Sequence, residues 1–246
     1  MTENAEKPKV EMVNIERSIV FDSGPIISLT TNNLLWILEP LKKQFNGEFL
    51  ITAAVKKELI DKPLAIKRFK FEGLQVLQLI NSGVLKVVED DILNSRTDAM
   101  LELANKIFKA KDEWLNLVHY AEMQALAAAK FYNSQLFVVD ERTTRFLIED
   151  PRALRKVMEH RLKTPVAINE VNLNAFLDKT KEIKLIRSVE LVAVAYRLGL
   201  LDKYLISDRS LGKAREQLLD SIIWGLKLRG CSISEKEIQE IVRQET

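Results

Sequence analysis

Two short apolar runs in this chain each end on an aspartate, and that pattern restricts the fold more than any other feature of the sequence. Ser18-Ile19-Val20-Phe21 is stopped by Asp22-Ser23-Gly24-Pro25, and Gln135-Leu136-Phe137-Val138-Val139 is stopped by Asp140. β-Branched and aromatic residues halted by turn formers predict strands, and runs without polar alternation predict strands covered on both faces. Glu48 to Ile51, Val84 to Val88 and Ile183 to Ile186 read as three further strands. Between them the apolar spacing is helical. Asn33 is expected to cap a helix through Phe45, and Thr52 a short helix carrying Val55, Glu58 and Leu59. Helical spacing continues from Leu64 to Asn81, through a long stretch broken near Lys111-Asp112, and from about Leu115 to Tyr132, where EMQALAAAK strongly favours helix.

Strands alternating with helices predict an α/β fold, a mainly parallel central sheet flanked by helices, with C-terminal helices added. Residues 1–16 are polar and aperiodic and read as a flexible leader. Residues 17–200 are read as the α/β domain, with helices over Thr143 to Ile148, Arg152 to Lys163 and Ser188 to Gly199. Residues 201–246 form a helical C-terminal extension: Leu211 to Leu228, then Ser234 to Arg243, where Ser234 and Glu237 make a capping-box pattern. Leu205 to Ser210 reads as a helix start.

Composition narrows the class. The 246 residues are 47% apolar and 29% charged, enough for a buried core. Charges interrupt every apolar run before the roughly 18 residues that a membrane helix needs, and the N-terminus lacks the apolar segment of a signal peptide. The expectation is a cytoplasmic protein without a membrane anchor. One cysteine, Cys231, excludes an internal disulfide, a Cys-x-x-Cys redox pair and a zinc ribbon. His119 and His160 lack a metal-ligand spacing.

Four carboxylates stand out by position: Asp22 and Asp140 at strand ends, Glu58 on the helix after the second strand, and Glu122 on the helix leading to the strand that ends on Asp140. Singly, an Asp before Ser-Gly-Pro is a turn former and a helical Glu is solvated surface. Together they can converge, because parallel sheets place ligands beyond the carboxyl ends of their strands. Four converging carboxylates repel one another unless protonated or neutralised by a divalent cation, and an all-oxygen set suits Mg²⁺ or Mn²⁺.

The segments IVFDSGPIISL (19–29), ITAAVKKEL (51–59), HYAEMQALAAA (119–129) and VVDERTTR (138–145) stand in an order that resembles the PIN-domain family of metal-dependent ribonucleases. SVELVAVAYRLGLL (188–201) resembles that family's closing helix, which usually follows the fourth segment closely, so the resemblance implies an inserted segment at about 150–180. The resemblance implies that Asp22, Glu58, Glu122 and Asp140 hold one or two divalent ions for water attack on a phosphodiester, with Glu141 a further candidate ligand. It implies that Ser23 and Ser188 orient the water or a carboxylate, and that RNA is the substrate.

The net charge of +2 neither favours nor excludes a nucleic-acid partner, so local clusters must decide. Arg145 lies near the carboxylates. Arg152, Arg155, Lys156, Arg161 and Lys163 share one helix whose Leu154, Val157, Met158 and Leu162 are expected to face the core. Lys56, Lys57, Lys62, Lys67, Arg68 and Lys70 form a second basic stretch. Either tracks an RNA backbone or is an ordinary solvated face. The alternative to an endoribonuclease is a PIN-like RNA- or protein-binding regulatory module, and the C-terminal helices are the candidate surface for a second copy or a protein partner. A phosphoaspartate enzyme fits poorly, since it wants an Asp where Gly24 stands.

Overall fold

Parallel strands buried on both faces need no polar alternation, and β1 (Ser18–Phe21) has none: all four of its residues are buried. The computed structural model describes residues 15–205 and 213–246. Most of the expected leader and most of the expected helix start at 205–210 lie outside the described residues. After β1 come α1 (Ser23–Thr31), a 3₁₀ turn at Leu35–Ile37, α2 (Leu38–Phe45) and β2 (Glu48–Thr52). Asn33 does not cap one long helix; it takes a left-handed φ of 56° and turns the chain after α1. Thr52 accepts the Val55 N–H at 3.4 Å and starts α3 (Ala53–Lys56), which widens into a π turn over Lys57–Asp61 and then α4 (Lys62–Ala65).

The helical spacing read from Leu64 is interrupted at 66–69, and α5 (Lys70–Asn81) resumes it before β3 (Leu85–Val88). The long stretch that follows is helical only as α6 (Asp91–Ala104). Beyond it, β4 (Phe108–Ala110) and β5 (Glu113–Trp114) form a hairpin around Lys111 and Asp112, whose φ angles are 48° and 66°. The helix expected from Leu115 starts later, as α7 (Tyr120–Phe131), because the Leu117 and Val118 N–H groups donate to the Asn105 side chain at 3.0 and 3.2 Å. Then follow β6 (Leu136–Val138), α8 (Arg142–Glu149), α9 (Pro151–Leu162), β7 (Ala167–Ile168), α10 (Glu170–Thr180), β8 (Leu185–Ile186), α11 (Ser188–Arg197), α12 (Ala214–Leu228) and α13 (Glu235–Glu245). Leu154 and Met158 of α9 are buried, but Leu162 is not core: it ends the helix exposed.

The central sheet is five-stranded and parallel in the order β3-β2-β1-β6-β8. A small antiparallel sheet, β5-β4-β7, joins the segment after α6 to the segment after α9. Val20, Leu50, Phe137 and Val138 form the sheet's fully buried centre, and Met123, Leu126 and the alanines of α7 belong to the same core. Leu219, Ile223 and Leu226 of α12 and Ile238 of α13 belong to it too. Among the described residues no helix is long and apolar enough to cross a membrane.

The chain builds outward from β1 through β2 to β3, then returns to β6 on the other side of β1. That reversal opens a crevice beyond the carboxyl ends of β1 and β6, where parallel sheets take their ligands. Gly47, which turns α2 into β2, sets part of this register: a Cβ there would lie 2.6 Å from a Phe45 ring carbon and 2.8 Å from the Arg17 carbonyl oxygen. Gly47→Ala is expected to destabilise the fold by about 1–3 kcal/mol through overpacking, read as a lower urea midpoint at unchanged slope.

Candidate active site on the carboxyl rim

Asp22 closes β1 and caps α1, and its N–H donates to the Val138 carbonyl of β6 at 3.0 Å. The side chain is 3% exposed, and its Oδ1 has no hydrogen-bond partner among the described residues. Burial pushes its pKa up to about 7, helped by the charges of Glu122 and Glu58 and opposed by the Ser23 and Gly24 N–H groups. Glu58 reaches the same place from the π turn. Its Oε2 accepts the Ser23 hydroxyl at 3.0 Å and its Oε1 meets Lys62 Nζ at 3.2 Å. Single π turns recur at functional positions in helices.

Glu122 comes from the first turn of α7, where its Oε2 accepts the Thr144 hydroxyl at 3.0 Å and the His119 N–H at 3.4 Å. Burial raises its pKa, and the charges of Glu141 and Glu58 add to the rise. Glu141 caps α8 by accepting the Thr144 N–H at 2.9 Å. Thr144 therefore holds one carboxylate with its hydroxyl and the other with its amide.

Asp140 is bound differently. Its Oδ2 accepts the hydroxyls of Ser28 at 2.7 Å and Ser188 at 2.8 Å, and its Oδ1 accepts the Ser188 N–H at 2.8 Å. A carboxylate offers about four lone-pair sites, and these bonds take three of them, two on Oδ2 and one on Oδ1. Gly24 packs between the two aspartates: a Cβ there would sit 3.5 Å from Asp140 Cβ and 3.6 Å from Asp22 Oδ2. Burial, and then the Asp140 charge, push the Cys231 thiol up to about 12.

The structure thus brings Asp22, Glu58 and Glu122 within electrostatic reach of one another, with Glu141 beside Glu122 and Asp140 across Gly24. Ser23 orients Glu58, and Ser188 orients Asp140. Arg145 is turned aside: its guanidinium donates to the Ser232 carbonyl at 3.2 Å and to Glu149 at 3.4 Å. On α9, Arg152 pairs with Glu170 and Arg155 with Glu159, while Lys156, Arg161 and, just past the helix, Lys163 extend the basic surface. An apolar groove of about 660 Å³ opens beside Glu58, walled by Ile27, Leu59, Ile66 and Phe69, with Lys62, Arg68 and Arg229 also lining it.

Sequence reasoning passed over Ser28, Thr144, Arg187 and Ser232. Thr144 lies inside VVDERTTR and Ser28 inside IVFDSGPIISL, so their segments were marked though their roles were not. Arg187 is one of 37 lysines and arginines, and no local signal separates it from the rest.

Among the described residues, no three Asp, Glu, His or Cys side chains stand close enough, as placed, to hold one ion together. The donor set still fits a hard divalent cation: it is all oxygen, and its central member is a buried carboxyl group with an unpartnered oxygen.

A family model described as a PIN domain matches residues 18–149, more than half of the chain. No curated protein and no solved structure matches it.

The raised pKa of Asp22 sets a pH dependence. Its folded value, about 7, exceeds the ordinary 3.8, so the fold favours the protonated form. The stability this contributes is full below about pH 4 and is lost as pH rises through 7. In chelator, wild-type protein is expected to lose about 3 kcal/mol between pH 5 and pH 8. Asp22→Asn should flatten that slope. Urea melts across the range check it, and equal slopes for both proteins would remove Asp22 as the cause.

Proposed function

The chain belongs to the PIN-domain family, and from that premise we propose that it is a metal-dependent endoribonuclease acting through Asp22, Glu58, Glu122 and Asp140. The observation that carries this reading is Asp22. A buried carboxyl group facing two other acids is a costly arrangement, and a cation is the natural counter-charge. Mg²⁺ or Mn²⁺ supplies Lewis acidity, making water nucleophilic near neutral pH and offsetting charge on the scissile phosphate.

The remaining work belongs to the chain. The Ser23 hydroxyl holds one oxygen of Glu58 and the Thr144 hydroxyl one oxygen of Glu122, which directs both acids toward the rim. Ser28 and Ser188 fix Asp140 from two helices. The groove beside Glu58 offers apolar walls and the cations Lys62, Arg68 and Arg229 to an RNA strand. Lys156, Arg161 and Lys163 offer a second cationic surface, with Arg152 and Arg155 beside them in surface ion pairs that a phosphate can replace. We read residues 17–200 as the catalytic unit, with an insertion at about 150–180, and residues 201–246 as an extension. That extension is the surface proposed for a second copy or a protein partner. A lone, buried cysteine suits a reducing cytoplasm.

One observation favours a second reading, a module that holds RNA or protein without cutting: the Asp140 carboxylate is already engaged three times. A cleavage assay on single-stranded and structured RNA separates the two. With Mg²⁺ or Mn²⁺ the protein should cut, and with chelator it should not. Asp22→Asn or Asp140→Asn should lower the rate at least about a hundredfold, since the anionic ligand carries several kcal/mol of charge stabilisation. Asp22→Asn should also keep or raise the melting temperature, because it removes a repelling charge. RNA retention without cleavage by wild type would favour the module, and undiminished cleavage by both variants would indicate a contaminating nuclease.

The cationic surface has its own test. Replacing Lys156 and Arg161 with Gln should weaken RNA binding and lower the slope of log K against log salt by about 0.7 for each phosphate no longer neutralised. An unchanged slope would turn attention to Lys56, Lys57, Lys67 and Arg68.

A further inference from the structure

Two residues beyond the segment that matches the family hold Asp140: Ser188 at the start of α11 and Ser232 in the loop between α12 and α13. The grip runs through Arg187, the residue before α11. This guanidinium is buried, 9% exposed in its side chain, and each side of it is occupied. It pairs with Glu190 on its own helix, with Glu237 of α13 at 2.7 Å, and donates to the Ser232 carbonyl at 3.1 Å in the loop between α12 and α13.

Both residues that Arg187 anchors hold Asp140. Its neighbour Ser188 supplies an N–H and a hydroxyl to the carboxylate. Ser232, whose carbonyl Arg187 binds, donates its own N–H to the Asp140 carbonyl at 3.2 Å. The same Ser232 carbonyl takes Arg145 at 3.2 Å. Asp140 is therefore held at its side chain by the residue that follows Arg187 in the chain and at its main chain by the residue whose carbonyl Arg187 binds. Removing the guanidinium takes one donor from the Ser232 carbonyl and the shared cation from Glu190 and Glu237, which loosens the seat of both segments.

We infer that Arg187 is a positioning residue for Asp140, and that the α12–α13 loop is a working part of the site. The inference rests on the reading of Asp140 as a site carboxylate. Outer partners that orient a metal-binding carboxylate are typically worth 10–100-fold in metal affinity. A second ion pair between the same two helices supplies a control: Arg197 of α11 meets Glu245 of α13 at 3.1 Å, and neither is among the partners of Asp140. Cys231, the single cysteine, is 2% exposed beside Asp140 and Ser188 and reports whether the loop is seated.

The experiment compares wild type, Arg187→Gln, Arg187→Lys and Arg197→Gln on the full chain. It measures the Mn²⁺ dissociation constant by calorimetry and the rate at which a thiol-reactive disulfide labels Cys231. Arg187→Gln should weaken Mn²⁺ about tenfold and speed labelling by at least as much. Arg187→Lys should recover part of both, and Arg197→Gln should change neither. Wild-type values in Arg187→Gln, or equal changes in Arg197→Gln, would overturn the inference by making Arg187 ordinary helix docking. If Arg187→Gln does not fold, Glu237→Gln decides by the same two readouts. A wild type that binds no Mn²⁺ ends the metal reading instead, and labelling alone then decides whether Arg187 seats the loop on Asp140.

Discussion

A buried carboxylate must be hydrogen-bonded, paired or protonated, and the two aspartates of this rim take different routes. Asp140 is satisfied by hydroxyls and an amide from α1 and α11. Asp22, on the neighbouring strand, keeps an oxygen with no partner among the described residues and is driven toward the protonated form. The contrast depends on the β1–β6 pairing, which puts both strand ends side by side with only Gly24 between their side chains. Shifting that register by one residue would move one strand end by about 3.3 Å and send its side chains to the opposite faces of the sheet, separating the two acids.

The helices around the crevice share a division of labour. Glu58 and Glu122 bring negative charge toward Asp22, while hydroxyls on Ser23 and Thr144 hold them in place. Lys62 offers a cation to the acids nearest Asp22, through the outer oxygen of Glu58. Arg145 and Arg187 converge instead on the Ser232 carbonyl, behind Asp140. Much of the positive charge near the acids is thus used to hold chain segments together, which leaves the carboxyl groups themselves to meet a ligand. The cations that line the groove and those on α9 stand apart from this set.

The C-terminal segment is integrated at both levels. Leu219, Ile223 and Ile238 add to the core, and the loop between α12 and α13 reaches the rim through Ser232. The segment at 150–180 is tied in by strand pairing: β7 pairs with β4, and Arg152 of α9 meets Glu170 of α10. Additions to the sheet therefore connect to it through specific polar contacts as well as apolar burial.

Local patterns determined much of this from sequence alone. Strands β1, β2, β3 and β6 are short apolar runs closed by turn formers, α7 is alanine-rich, and α13 opens with a capping box, so each is set by residues adjacent in the chain. The strand-end aspartates and the two glutamates were legible for the same reason, since parallel topology alone gives such positions a common rim. What only the tertiary structure decided depends on partners far apart in sequence. The strand β4 and its hairpin look helical by spacing, and they exist because Lys109 pairs with Ala167 across the chain. Arg187 is indistinguishable among 37 basic residues until Glu237 and Ser232 close around it. Periodicity records which face a residue presents; it holds no information about which distant carbonyl or carboxylate will satisfy a buried charge, and that choice placed Asp140.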